Sequence, residues 1–219
     1  MISLVAFLGN IGREYERTRH NVAWQFAESL PFYGALSWQE KFRGDYAVMD
    51  TEAFAGHCAR SGLLTAKDGG TPALPKDAPD KIYFLKPRTY MNLSGESIGE
   101  LARFFKIDAA QVLVVHDELE LPFGTVSLKW AGGLGGHNGL RSAKAVLGTA
   151  DFWRLRFGLT KPQGRDIADY VLSDFTADER LALQSVFAES ARLFARVLLS
   201  ADPARLIPAW GKKKITERP

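Results

Sequence analysis

Short apolar segments rich in β-branched residues alternate along the whole chain with segments of helical periodicity. The β-type segments are residues 3–8, 82–86, 112–115, 125–130 and 154–159. The helical segments are residues 21–30, 94–105, 140–147 and a long stretch that ends near residue 199. This alternation predicts an α/β fold: a single domain with a mixed, largely parallel twisted sheet flanked by helices.

Local signals refine this outline. Ser94 is a suitable capping residue for the helix that follows it, and Thr176 with Glu179 forms a capping box before the long helix. Residues 45–64 predict one or two strands around a turn near Thr51. Residues 66–80 contain three prolines and two glycines and predict a flexible surface loop. We expect one domain over residues 1–200 and a basic C-terminal tail over residues 201–219.

Composition excludes several classes of protein. Hydrophobic residues make up 46% and charged residues 24% of the chain, which is typical of a globular protein and not of a disordered or collagen-like one. The single cysteine, Cys58, excludes an internal disulfide and fits a reducing compartment. No apolar run approaches the ~18 residues of a membrane-spanning helix, and the N-terminus lacks the features of a signal peptide. We expect a cytoplasmic protein.

Basic residues are concentrated in one part of the chain. The formal net charge is +3, which equals the charge of the C-terminal run around residues 212–218. Between Lys129 and Arg165, seven basic residues accompany a single acid, Asp151. Such a patch suits a polyanion such as nucleic acid, although a solvated surface has the same composition.

Polar residues follow several of the predicted strands or precede helices. They are Asn10, His20, Asn92, Asp117 and Asn138. Each alone is an ordinary turn or capping residue, but ligands bind at the edge of the sheet where such positions converge. A histidine can take a proton from water, a carboxylate can hold its other ring nitrogen, and asparagine amides can stabilise a carbonyl oxygen. This set predicts water-mediated attack on an acyl bond.

Competing motifs are weak. The chain contains no G-x-S-x-G, no G-x-G-x-x-G and no P-loop. Its four histidines lack the spacing of metal ligands. His57 and Cys58 lie in a strand-like segment, where adjacent side chains point to opposite faces, so we do not expect a Cys–His pair.

Four segments resemble motifs of the bacterial peptidyl-tRNA hydrolases. They are residues 8–12 with Tyr15 and residues 18–21, residues 86–87 with residues 89–95, residues 114–122 with Gly124, and residues 132–142. The fourth is the most specific. All four occur in the order and spacing of that family and extend over about residues 2–175.

The resemblance implies a fold and an activity. The fold is the peptidyl-tRNA hydrolase or phosphorylase-like sandwich. The activity is hydrolysis of the ester between a peptide and tRNA, which recycles tRNA from dropped-off peptidyl-tRNA during translation. The partner is therefore tRNA and not a membrane, no metal or other cofactor is required, and the protein is expected to be a monomer.

The resemblance also implies roles for individual residues. His20 is the general base, Asp117 supports its basic form, and Asn10 helps to distinguish blocked from free aminoacyl groups. Asn92 and Asn138 hold the 3′ end of the substrate and the peptide carbonyl.

Four further positions match the tRNA-binding residues of the family. Tyr15 and Tyr90 line the site of the tRNA end, and Lys129 and Arg156 clamp a phosphate. The chain departs from the family at Ile11, where proline is usual, and at Glu118 and Glu120, where aspartate is common.

Two alternatives remain at this stage. The first is a catalytically silent RNA-binding protein, similar to the plant organelle splicing factors that share this fold. The second is a nucleotide-dependent enzyme that uses the glycine-rich residues 132–139. A turnover assay separates the first from the hydrolase, and a thermal shift with NAD or ATP tests the second.

Overall fold

One twisted sheet runs through the molecule. A computed structural model describes residues 1–65, 70, 73–76, 78–164 and 166–216, and within them eight strands form this sheet. The strands are β1 (Leu4–Phe7), β2 (Gln39–Lys41), β3 (Gly44–Asp50), β4 (Lys81–Pro87), β5 (Val112–Glu118), β6 (Thr125–Trp130), β7 (Trp153–Gly158) and β8 (Lys213–Lys214). Their order is β2-β3-β4-β1-β5-β7-β6-β8.

The centre of the sheet is parallel and its two sides are antiparallel. β1 pairs in parallel with β4 and β5, and β5 pairs in parallel with β7. β3 and β6 run antiparallel to their neighbours. Because parallel strands end at the same edge, the loops that follow β1, β4 and β5 meet there. The predicted mixed sheet and single-domain fold are confirmed.

Helices cover both faces of the sheet. They are α1 (Val22–Ser29), α2 (Thr51–Arg60), α3 (Ser94–Phe105), α4 (Asn138–Leu147), α5 (Ile167–Val171), α6 (Ala177–Leu199) and α7 (Ile207–Trp210). Single 3₁₀ turns lie at Arg13–Tyr15, Arg19–Asn21, Tyr33–Ala35, Met91–Leu93, Ala109–Gln111 and Pro203–Leu206.

The side chains of β1 point alternately to the two faces of the sheet, and each face carries its own hydrophobic cluster. Val5 and Phe7 pack with α1, α2 and α6 in one hydrophobic cluster. Leu4 and Ala6 pack with α3 and α4 in the other. Successive side chains of a strand point to opposite faces, so a continuous apolar run is what a strand buried on both faces requires.

The predicted capping box of α6 is confirmed. Thr176 Oγ1 accepts the N–H of Glu179 at 3.2 Å, and the Glu179 carboxylate accepts the N–H of Thr176 at 2.9 Å. At the other predicted cap, Ser94 is the first residue of α3 rather than the residue before it, and its hydroxyl donates to Met91 O at 2.9 Å.

Residues 45–64 differ in part from the prediction of one or two strands around a turn near Thr51. β3 ends at Asp50 and α2 begins at once. The buried residues of α2, which include Phe54 and Cys58, recur at helical spacing and pack on the core. His57 and Cys58 therefore lie on a helix, and burial raises the pKa of the Cys58 thiol to about 12, which keeps it protonated.

The segment after residue 200, predicted as a basic tail, contains secondary structure. α7 buries Trp210, and β8 pairs antiparallel with β6 through Lys213 and Lys214. The domain boundary at residue 200 stays a prediction. The predicted loop falls in part on residues 66–69, 71–72 and 77, which lie outside the described residues. None of the helices in the described ranges has the length and apolar character needed to cross a membrane.

Candidate active site

A cleft of about 680 Å³ opens at the edge where β1, β4 and β5 end. Seven of the nine predicted site residues line it. They are Asn10, Tyr15, His20, Tyr90, Asn92, Asp117 and Asn138. The other two, Lys129 and Arg156, are not among its lining residues.

Five different elements bring the polar residues of the cleft together. Asn10 follows β1, and His20 lies on the 3₁₀ turn before α1. Asn92 lies on the 3₁₀ turn after β4, and Asn138 is the first residue of α4. Asp117 is the penultimate residue of β5, because this strand continues to Glu118 instead of ending at residue 115 as predicted.

Asp117 accepts hydrogen bonds from two histidines, and we call this group the His–Asp–His cluster (His20, Asp117, His137). Asp117 Oδ1 lies 2.8 Å from His20 Nδ1 and 3.0 Å from His137 Nε2. His137 Nδ1 accepts the N–H groups of Gly139 and Leu140, at the start of α4. His137 therefore carries its proton on Nε2 and donates it to Asp117. When His20 donates through Nδ1, its Nε2 is the basic nitrogen.

The charges of this cluster are set by burial and by neighbours. Burial alone lowers the pKa of His20, but the charge of Asp117 and its hydrogen bond outweigh this and raise the pKa above its ordinary value. Burial alone raises the pKa of Asp117, but the two histidines hold it well below its usual range. Asp117 is therefore an anion at neutral pH. The pKa of His116 is lowered well below its usual value by burial and by His137, so His116 stays neutral.

The same three side chains have the composition of a metal site, with ligand atoms within 4.8 Å of one another. The hydrogen bonds of His137 argue against that use. Its Nδ1 already accepts two backbone N–H groups, so a cation on Nε2 would leave the ring without a proton. Histidines that bind metals usually donate their second ring N–H to an acceptor, and His137 has no such arrangement.

The side chain of Asn10 has a defined orientation. Its Oδ1 accepts the N–H of Met91 at 2.7 Å, which leaves the Nδ2 donor for a ligand. The backbone of Asn10 is held by Asn21, whose Oδ1 accepts the Asn10 N–H at 2.8 Å and whose Nδ2 donates to the Asn10 carbonyl at 2.9 Å. At the other side of the cleft, Asn138 Oδ1 accepts from Arg141 at 3.3 Å, so Nδ2 is again the free donor.

Close packing of α4 fixes the position of Asn138. A Cβ atom on Gly139 would lie 2.6 Å from Met91 Sδ and 2.7 Å from a Leu8 methyl carbon. A Cβ atom on Gly95 of α3 would lie 2.1 Å from Ser142 O. Backbone atoms cannot move aside as the end of a side chain can, so only glycine fits at position 95. The contacts of Gly139 bring the start of α4 against the loops that carry Asn10 and Asn92.

One wall of the cleft is apolar. It includes Leu119 and, from α5 and its end, Ile167, Val171 and Leu172. Arg19, the neighbour of His20, supports this wall. It is buried, donates to Ser173 and to the carbonyl of Asp174, and pairs with Glu179 at 2.6 Å.

Lys129, Arg154 and Arg156 lie together outside the cleft, and we call them the basic cluster. In the register of β6 and β7, Lys129 is opposite Arg154 and Ser127 is opposite Arg156, so these four side chains share one face. Burial and the neighbouring arginines lower the pKa of Lys129, and burial and Arg156 lower the pKa of Arg154. Cations crowded in this way favour an external anion.

The side chains of the basic cluster differ in the hydrogen bonds and ion pairs that they form. Arg154 is 1% exposed and donates to Gly132 O and Gly133 O at 2.9 and 2.6 Å, which anchors the glycine-rich loop. Arg156 donates to Ser127 Oγ at 2.6 Å and pairs with Glu118 at 3.3 Å. Among the described residues, the buried Nε atoms of both arginines lack a hydrogen-bond partner. Arg165, part of the predicted patch, lies outside the described residues.

Sequence reasoning missed three residues of this region. His137 and Asn21 belong to recognised motifs but were assigned no role, and Glu118 was noted only as a departure. Glu118 lines the cleft and also pairs with Arg156, so it connects the cleft to the basic cluster. His137 directly precedes Asn138, and Asn21 directly follows His20. This adjacency to predicted site residues was the signal available in the sequence.

Comparisons with known proteins agree on one family. The family model for peptidyl-tRNA hydrolase matches residues 4–217. A peptidyl-tRNA hydrolase of Treponema pallidum (strain Nichols) is 44% identical over 218 residues, with 98% of this chain and 96% of the relative covered. One of Nocardia farcinica is 44% identical over 210 residues, with 93% and 95% covered. The crystal structure of peptidyl-tRNA hydrolase from Acinetobacter baumannii matches with a TM-score of 0.77 at 26% identity, with 98% and 97% covered.

Proposed function

Because the chain belongs to the peptidyl-tRNA hydrolase family, and so hydrolyses the ester between peptide and tRNA, we propose that His20 activates the attacking water in the cleft. The expectation of a hydrolase is confirmed, and neither a silent RNA-binding protein nor a nucleotide-dependent enzyme is supported. The observation that carries the proposal is the 2.8 Å contact of His20 Nδ1 with Asp117 Oδ1 inside the cleft.

His20 acts as a general base. Its Nδ1–H donates to Asp117, so Nε2 takes a proton from water, and the resulting hydroxide attacks the ester carbonyl. The anionic Asp117 stabilises the imidazolium that forms. The imidazolium then returns the proton to the 3′ oxygen of the tRNA as that oxygen leaves. His137 also donates to Asp117 at 3.0 Å, which holds the carboxylate in the orientation that His20 requires.

The asparagines recognise the peptide. Asn10 and Asn138 both have their amide oxygens engaged and present Nδ2 as a donor. A donor suits the carbonyl of the first peptide bond and the oxyanion that develops at the ester. An unblocked aminoacyl-tRNA presents an ammonium there, which is itself only a donor. Asn92, which lines the same cleft, holds the 3′ end.

The tRNA is held at two places. Tyr15 and Tyr90 line the cleft, where their rings can stack on the terminal bases. Lys129 and Arg156 bind a phosphate farther along the acceptor arm. The basic cluster supports this role, because its three cations share one face of the sheet and, within the described ranges, only Arg156 pairs there with an acid, Glu118. Phosphate contacts position the substrate without reading its sequence.

The protein acts as a cytoplasmic monomer that needs no metal. The substrate, peptidyl-tRNA, arises during translation in the cytoplasm. Light scattering of the purified protein tests the monomer, and activity after treatment with a chelator tests the metal.

The test of the proposed function is the release of N-acetyl-aminoacyl groups from N-acetyl-aminoacyl-tRNA. The wild-type protein is expected to cleave this substrate and to spare unblocked aminoacyl-tRNA. His20→Ala should lose about 10²- to 10⁴-fold in kcat, the usual contribution of a general base. His57→Ala, a histidine on α2, is the matched control and should retain activity. More than about 1% residual turnover in His20→Ala would contradict the role of His20.

A further inference from the structure

Asn21 connects the segment of the base to the segment of the specificity residue. It directly follows His20 on the same 3₁₀ turn, and its side chain is fully buried. Its amide forms a two-point contact with the peptide backbone of Asn10, accepting the N–H at 2.8 Å and donating to the carbonyl at 2.9 Å. Both groups of the Asn21 amide are thereby assigned without ambiguity, since only its oxygen can accept the N–H.

The contact fixes more than the backbone. With the Asn10 peptide held, Asn10 Oδ1 reaches the N–H of Met91 at 2.7 Å. Met91 precedes Asn92 on the neighbouring turn. Hydrogen bonds therefore run from the turn of His20, through Asn10, to the turn of Asn92. They also determine which end of the Asn10 amide faces the cleft.

We propose that Asn21 is a positioning residue that sets the preference for blocked over unblocked aminoacyl-tRNA by holding Asn10 with its Nδ2 donor toward the substrate. The inference rests on the proposed function of the cleft. Asn21 acts through Asn10 and does not itself touch the substrate.

The chemistry of the two substrates gives this role a measurable signature. The Nδ2 donor attracts a peptide carbonyl and repels an ammonium. A released Asn10 can rotate and present Oδ1, which accepts from an ammonium and repels a carbonyl. Loss of the contact should therefore change the two substrates in opposite directions, whereas a general loss of structure would slow both by the same factor.

The experiment compares kcat/KM for N-acetyl-aminoacyl-tRNA and for the same aminoacyl-tRNA unblocked. In Asn21→Ala the ratio of the two should fall by about tenfold or more, the discrimination expected from roughly one misdirected hydrogen bond. Asn21→Asp is isosteric and keeps the acceptor for the Asn10 N–H, but it replaces the donor to the Asn10 carbonyl. Its ratio should fall between those of Asn21→Ala and the wild type, and it serves if Asn21→Ala does not fold.

Leu199→Ala is the control for stability, because it opens a cavity in the core at the C-terminal end of α6, twenty residues along the chain from Glu179, the partner of Arg19. It should lower the melting temperature and leave the ratio unchanged. The inference is overturned if the wild-type protein prefers the blocked substrate and the folded Asn21 variants show the same ratio. Absence of hydrolysis by the wild-type protein would instead overturn the proposed function.

Discussion

The His–Asp–His cluster and the basic cluster are both largely buried, and they differ in how their charges are satisfied. In the first, the Asp117 anion accepts two N–H groups, and the backbone of α4 orients the second histidine. In the second, Lys129, Arg154 and Arg156 share one face of the sheet, with Glu118 as the paired acid. Two of its arginine Nε atoms have no partner among the described residues.

The difference indicates that the two clusters have different functions. Groups that perform a reaction need a fixed geometry before the substrate arrives, and the His–Asp–His cluster has one. Groups that bind a polyanion gain from an excess of positive charge, because the phosphate then neutralises it. Changes in the first cluster should therefore affect kcat, and changes in the second should affect KM.

The largest effect is expected from Asp117→Asn. The amide can no longer accept both histidine N–H groups with a full negative charge, so His20 loses its orientation and the stabilisation of its protonated form. We expect kcat to fall about 10²- to 10⁴-fold with little change in KM. Asp178→Asn, at an exposed position in the first turn of α6, is the matched control. A change confined to KM would contradict the assignment of the His–Asp–His cluster to the chemical step.

The pH dependence of kcat/KM should reveal the negative charge of Asp117. His20 must be neutral to act, so kcat/KM should fall as pH decreases through the pKa of His20. Asp117 holds this pKa above the ordinary value of a histidine, so the acidic limb of the wild-type profile should lie at higher pH than it would for an ordinary histidine. In Asp117→Asn, burial remains and lowers the pKa of His20, so the limb should move to lower pH. Single-turnover rates of both proteins between pH 5 and 9 measure the shift, and coincident limbs would contradict it.

A smaller effect is expected from Lys129→Ala. Removal of one phosphate contact should raise KM about tenfold at low salt, leave kcat unchanged and reduce the slope of log KM against log salt by about one. Lys144→Ala is the matched control, because this exposed lysine of α4 belongs to the same basic stretch of sequence but not to the cluster. A fall in kcat with KM unchanged would assign Lys129 to the chemistry instead.

The smallest effect is expected from Glu118→Gln. The carboxylate of Glu118 pairs with Arg156 at 3.3 Å and competes with a phosphate for it. The neutral amide should lower KM by a few-fold, in the direction opposite to Lys129→Ala, within the range of a partly exposed ion pair. Steady-state kinetics at several salt concentrations measure it. A rise in KM would show that Glu118 orients Arg156 for the tRNA rather than restraining it.

Much of the cleft was predictable from the sequence. Asn10, His20, Asn92, Asp117 and Asn138 are polar residues next to strand ends or helix starts, and parallel strands bring such positions to one edge. The sequence could not indicate that Lys129 and Arg156 lie apart from the cleft, because the antiparallel register of β6 and β7 decides it. The helix α2 was missed because Thr51 was interpreted as a turn between strands, although Phe54 and Cys58 have helical spacing.

The sequence could not indicate which groups in the cleft donate hydrogen bonds and which accept them. The tautomer of His137 depends on backbone N–H groups at the start of α4. The orientation of Asn10 depends on Asn21 and on Met91, which is 81 positions away. With Ile11 as the next residue, Asn10 is held by these contacts.

The two outer strands of the sheet bear on how the protein behaves at high concentration. An unpaired strand edge is a template on which another chain can add, which is how fibrils and domain-swapped aggregates begin. Here one edge is β2, three residues that are all exposed and include Glu40 and Lys41. The other is β8, two lysines long. Adding a strand at either side would bury charge for few hydrogen bonds, so the lysines near the C-terminus discourage self-association of the sheet.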